Sequence, residues 1–176
     1  MKKIELIVGH KSTKKGAGHW SGMNEWDFNC KFVEDICIAL STQLDTSYSI
    51  NQRFRNTTYK EMTDSVNANL AIEFHLNAGG GTGTEMLVAK DIYDRKTEEQ
   101  VAKLSHKIAK ELDARNRGIK LREEGSRGYY FLRNADAELA IIAETCFISS
   151  TSDIAKLFTN YDAVVNAYVD WIKEWV

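Results

Sequence analysis

The 176-residue chain has no proline, only three cysteines, and no apolar run approaching the roughly 20 residues of a membrane span. No linker, internal repeat or low-complexity stretch divides it either, so one domain over residues 1–176 is expected. Three cysteines cannot all pair, and Cys30 and Cys37 lie one heptad apart on what reads as a single helix. They are expected as reduced, mostly buried thiols rather than a disulfide or a zinc knot, which implies synthesis in a reducing compartment. An excess of one charge is also missing. The 23 Lys+Arg against 25 Asp+Glu leave a net charge of -2 and no electrostatic case for nucleic acid. The opening Met1 to Gly9 is too short an apolar run for a signal peptide, and Lys11, Lys14 and Lys15 follow at once. A protein made in the cytoplasm without a signal peptide, and with no membrane insertion, is therefore expected. The 43% apolar content is enough for a proper core and excludes wholesale disorder.

What is present alternates between two periods. Ile4 to Val8, Leu70 to Leu76, Thr84 to Ala89 and Leu139 to Ala143 read as short buried strands. Between them, Glu25 to Leu44 repeats apolar residues at helical spacing (Phe28, Phe32, Ile36, Leu40). Thr58-x-x-Glu61 and Thr97-x-x-Gln100 look like capping boxes, the second opening a helix with Val101, Leu104, Ile108 and Leu112 on one stripe. Asp153 to Trp175 closes the chain as helix, with Asn160 capping its second half and Trp171 and Trp175 packing it. Strands alternating with helices predict an α/β fold, a mostly parallel or mixed twisted sheet flanked by helices on both faces. Whether the Asp113 to Tyr130 stretch adds a helix over the cleft is left open by the sequence.

Open α/β sheets place ligands beyond the carboxyl ends of their strands. Here three apolar strands lead to a chemically able side chain: the first through Gly9 to His10, the second to His75, the last to Glu144. A lone histidine after a strand is more often structural than not. Three such residues on one rim are harder to dismiss, and His, His and carboxylate are what zinc and water activation require. A catalytic zinc takes three protein ligands, so a third donor and a separate base are needed. Glu25 opens the first long helix and can face inward, but Asp27, Glu73 and Glu85 are equally open on spacing.

At this point the ordered segments resemble a family. His10, Met23-Asn24-Glu25-Trp26-Asp27, Ile72-Glu73-Phe74-His75-Leu76-Asn77-Ala78, Gly83-Thr84-Glu85 and Ile142-Ala143-Glu144-Thr145-Cys146-Phe147 are similar to the zinc-dependent N-acetylmuramoyl-L-alanine amidases of the cell wall. The resemblance implies His10, Glu25 and His75 as ligands of one zinc ion per chain, with Glu144 as the catalytic carboxylate. It implies a substrate in peptidoglycan, cut between N-acetylmuramic acid and L-alanine. It also implies a phage-endolysin-like setting: a monomeric catalytic domain over 1–176, without a separate wall-binding module, released to the wall by a holin-type partner. The departures are local. Val8-Gly9-His10-Lys11 lacks the family's acid and second glycine, no proline precedes the last core strand, and Cys146 stands where glycine is common.

Remaining residues read more plainly. Asn77 and His19 are expected at the substrate, Asn77 bracing His75 or favouring a turn, His19 edging the cleft. His106 is expected exposed. The Gly79 to Gly83 loop leads to a strand rather than a helix, which speaks against a phosphate cradle and for a mobile rim. Arg122, Arg127 and Arg133, in one stretch with Tyr129, Tyr130 and Phe131, read either as a basic aromatic loop that contacts an acidic stem peptide or as a solvated connection with snorkelling side chains, and the second is expected.

Overall fold

The computed structural model describes all residues, 1–176. Its elements in chain order are β1 (Lys2–Val8), α1 (Glu25–Gln43), β2 (Tyr48–Phe54), α2 (Tyr59–Asp64), β3 (Asn67–Asn77), β4 (Thr84–Ala89), α3 (Arg95–Glu111), β5 (Asn116–Arg122), α4 (Tyr129–Asn134), β6 (Asp136–Phe147), α5 (Thr151–Thr159) and α6 (Tyr161–Trp175). The six strands form one sheet in the order β2-β1-β3-β6-β4-β5. Every pairing is parallel except β4 against β6. The mixed α/β class expected from the sequence holds.

The central strands sort their side chains by simple alternation. Leu70, Ile72, Phe74 and Leu76 of β3 join Ile4, Leu6 and Val8 of β1 and Leu139, Ile141 and Ala143 of β6 in a 32-residue buried cluster. Helices α1, α3, α5 and α6 close over that face with Phe32, Ile36, Leu104, Ile108, Leu157, Tyr168 and Trp171. Each such side chain contributes about 1.5–3 kcal/mol through burial. The other face holds a cluster of ten, in which Ile7, Ala71, Leu87 and Ile142 meet Met62 of α2 and Phe131 and Leu132 of α4. Those two helices are six residues each. They cover only part of their face.

Several expectations are corrected. Strands β2 and β5 occupy stretches that carry no continuous apolar run, and α4 carries only the short one from Tyr129 to Leu132. The stretch from Asp113 to Tyr130, left open in the sequence, is mostly strand β5 and the turn after it, with α4 starting only at Tyr129. The predicted Thr97-x-x-Gln100 box does not open α3. Asp94 is the N-cap, its carboxylate accepting from the Thr97 N–H at 2.7 Å, and an aspartate is the better cap. The Thr58-Glu61 box is present in full, and Asn160 stands at the start of α6 without a side-chain cap bond. All three cysteines are free thiols, with Cys146 buried. Trp171 is fully buried and stacks on Trp175. No helix is long and apolar enough to cross a membrane.

Candidate metal centre and active site

Three segments meet at the carboxyl end of β1 and β3. Gly9 lets the chain leave β1 against the neighbouring strand, because a Cβ there would lie 2.5 Å from the His75 ring and the Phe74 carbonyl. His10 follows in a left-handed conformation, φ 66°, which a non-glycine residue holds only when its surroundings impose it. The loop then returns to α1, where the Asn24 side chain accepts from the Asp27 N–H at 2.9 Å. That cap makes Glu25 the first helical residue and turns its side chain under the loop. Gly16, φ 80°, admits it: a Cβ there would meet the Glu25 carboxylate and the His10 ring.

The carboxylate of Glu25 is the hub. One oxygen accepts from His75 Nδ1 at 2.8 Å and the Leu76 N–H at 3.1 Å. The other accepts from the Ala17 N–H at 3.1 Å and lies 2.9 Å from His10 Nε2. That His10 nitrogen is buried and near the oxygen, yet not aligned for a hydrogen bond. Burial alone would raise the Glu25 carboxyl, but the His10 and His75 rings outweigh it and hold it far below the usual carboxylate range. Donor atoms of His10, Glu25 and His75 all lie within 4.8 Å of one another. Two imidazole nitrogens and a carboxylate oxygen, one nitrogen unsatisfied, in a pocket kept open by two glycines, fit a tetrahedral zinc with a fourth position open.

The other carboxylates weighed for the third donor are committed elsewhere. Asp27 faces Lys15 and Asn24 at the surface. Glu73, 1% exposed, lies 3.3 Å from His75 Nε2 and accepts from the Tyr59 hydroxyl at 2.9 Å. Glu85 accepts from Asn77 at 2.7 Å and from Arg117 at 2.6 Å. Burial disfavours a charged His75 ring, but Glu73, and after it Glu25, raise it to about 10. Glu73 was not singled out as a partner of His75 in the sequence. The available signal was the period of two: residues 73 and 75 of a strand share a face.

His75 and Glu144 are paired neighbours on β3 and β6, each still inside its strand rather than past its end. The Glu144 Oε2 is buried without a partner. Burial pushes this carboxyl up to about 7; His75 opposes the shift, and Glu25 and Glu85 add to it. Both residues line a cavity of about 440 Å³, roofed on the thinly covered face by Arg55, Tyr59, Arg122 and Arg127. Asn77 also lines it. His19 does not: it is buried in the loop beside Trp20, bonded to Ser21.

A family model described as N-acetylmuramoyl-L-alanine amidase matches residues 4–174. The chain belongs to that family. It is 28% identical to the N-acetylmuramoyl-L-alanine amidase CwlM of Bacillus licheniformis over 168 residues, covering 89% of this chain but 61% of that protein. Among solved structures, an N-acetylmuramoyl-L-alanine amidase of Clostridium difficile 630 superposes with a TM-score of 0.81 at 20% identity, covering 99% of this chain and 96% of that one. The catalytic domain of the CD27L endolysin targeting Clostridia difficile gives 0.78 at 20% identity, covering 99% and 98%. These two likenesses establish the fold that this amidase-family chain shares.

The glycine-rich segment of this family member, expected as a rim beside the metal, is bonded to its surroundings at both ends. Gly79 and Ser149 bond each other twice, Gly83 donates to Asp153 at 2.8 Å, and the Phe147 ring closes against Gly81. Strand β4 follows directly, as the sequence indicated. Arg127 is exposed in the turn before α4, as expected, and also lines the cavity; Arg122 instead ends β5 half-buried against it, while Arg133 pairs with Asp91 outside it. His106 is exposed as expected.

Proposed function

We propose that this chain is a zinc-dependent peptidoglycan hydrolase that cleaves the amide between N-acetylmuramic acid and L-alanine. The observation that carries the proposal is the convergence of His10, Glu25 and His75 beside Glu144, whose buried carboxylate oxygen has no partner in the protein. His10, Glu25 and His75 are the residues that would hold the ion. Bound there, zinc supplies Lewis-acid polarisation and lowers the pKa of water. Glu144, with a carboxyl near 7, is set to take a proton from the attacking water and pass it to the departing L-alanine nitrogen. Glu73 holds His75 from behind at Nε2, so that Nδ1 faces Glu25. Asn77, steadied by Glu85, presents an amide to the cavity wall for substrate.

Metal analysis together with mass spectrometry of digested peptidoglycan tests this reading on the wild type and Glu144→Gln. The expected result is one zinc per chain in both proteins. Stem peptides with a free N-terminal L-alanine should appear with the wild type, and turnover in the variant should fall by about 10²–10⁴. Zinc with cuts inside the stem would make the protein a peptidase. A chain without metal that releases nothing would be a wall-binding module. A lysin role belongs to the same proposal: a monomer made in the cytoplasm, reaching the wall through a holin-type partner. Its tests are lysis of bare cell walls by added protein and the mass in solution.

A further inference from the structure

The chain has eight arginines. Arg53, Arg95, Arg117 and Arg133 form ion pairs with Glu5, Glu99, Glu85 and Asp91. Of the remaining four, Arg55, Arg122 and Arg127 all line the cavity beside Glu144. They arrive from separate elements: Arg55 just past β2, Arg122 at the end of β5, Arg127 just before α4. The guanidinium of Arg55 lies 5.4 Å over the Tyr59 ring, which anchors it while leaving its N–H donors free. The Nε of Arg122 is buried and makes no hydrogen bond. None of the cavity's carboxylates forms an ion pair with these three: Glu73 is taken by His75 and Tyr59, Glu85 by Arg117 and Asn77, and Glu144, whose carboxyl Arg127 draws only slightly downward, keeps an oxygen without a partner.

A half-buried Arg122 with an unsatisfied Nε, beside the half-buried Arg55 and the exposed Arg127, is costly unless an anion completes it, and the planar forks match a carboxylate. We propose that Arg55, Arg122 and Arg127 form a subsite for a carboxylate on the peptide side of the cleaved bond, making the enzyme selective for stems whose second residue carries a free acid. This rests on the amidase reading. In that substrate the muramyl carboxyl is already consumed in the amide and the N-acetyl groups are neutral, so the anionic charge sits on the peptide.

The experiment compares two soluble muramyl tripeptides that differ only in the second residue, one with a free α-carboxylate and one with its amide. Wild type, Arg122→Gln and Arg127→Gln are assayed on both, and calorimetry measures binding of both to Glu144→Gln. The wild type is expected to favour the acid by about tenfold or more in kcat/KM, and each arginine variant to bring the ratio toward one. A wild-type ratio near one overturns the subsite, as does an equal loss on both substrates in the variants. Cleavage of neither by the wild type overturns the amidase reading instead. The acid-to-amide ratio in binding to Glu144→Gln then decides the arginine subsite alone: tighter binding of the acid supports it, and equal binding overturns it.

Discussion

The same strands build both faces of the sheet, and the faces have opposite characters. On one, the inward positions of β1, β3 and β6 are apolar except Thr145, whose hydroxyl pairs with that of Tyr168, and four helices seal it. On the other, β3 contributes Glu73, His75 and Asn77 one after another, β4 contributes Glu85 and β6 contributes Glu144, and two six-residue helices leave a cavity above them. Buried charge is tolerated there because nearly every group has a partner; the exceptions, His10 Nε2, Glu144 Oε2 and Arg122 Nε, all belong to residues that line the cavity. The difference is one of division: stability concentrates on the sealed face, and chemistry on the one left thin.

Substitutions on the two faces should therefore separate stability from function. The largest expected effect on stability is Phe74→Ala, since the ring is fully buried among Phe32 and Tyr168. It should cost about 3–5 kcal/mol by urea unfolding, with metal content unchanged in the folded fraction. Loss of metal at full stability would break the comparison. Glu73→Gln probes the other face. Zinc affinity should fall about 10–100-fold by competition with a chelator, while unfolding shifts far less than for Phe74→Ala. An unchanged affinity would remove Glu73 from its role behind His75.

The smallest effect is a pH dependence of the metal-free protein. With Glu144 raised to about 7 from 4.5, the folded state binds more protons than the unfolded one between those values, so stability falls as pH rises through that window. His75 is raised, so its contribution is intact below its ordinary 6.5 and is lost only above it, toward about 10. The Glu25 contribution is lost only on acidification below its ordinary range. The interval from pH 5 to 6.5 therefore reports Glu144. A loss on the order of 1–2 kcal/mol is expected across it in the wild type, and a flatter profile in Glu144→Gln. Identical slopes would contradict the raised carboxyl.

Much of the site was legible because His10, His75 and Glu144 each follow an apolar run long enough to be a buried strand. The third donor was not legible from spacing. Choosing Glu25 over Asp27 depends on the Asn24 cap, which rotates the first helical turn so that residue 25 faces the loop and residue 27 faces Lys15. Strands β2 and β5 stayed hidden because both are edges of the sheet. Tyr48–Phe54 and Asn116–Arg122 are only partly buried, so neither carries a continuous apolar run. With β2 and β5 went Arg55 and Arg122, whose meeting place depends on strands that local pattern did not reveal.

The sequence by itself determined the α/β class, the central strands, the apolar stripe of α1 and the donor types at the rim, because alternation, helical period and side-chain chemistry are local properties. Tertiary structure alone decided which carboxylate joins the two histidines, that Glu73 backs His75, and that three arginines from distant segments share one cavity. Those outcomes depend on strand order and on which face each helix covers, and they follow from how long-range pairing buries the most apolar surface.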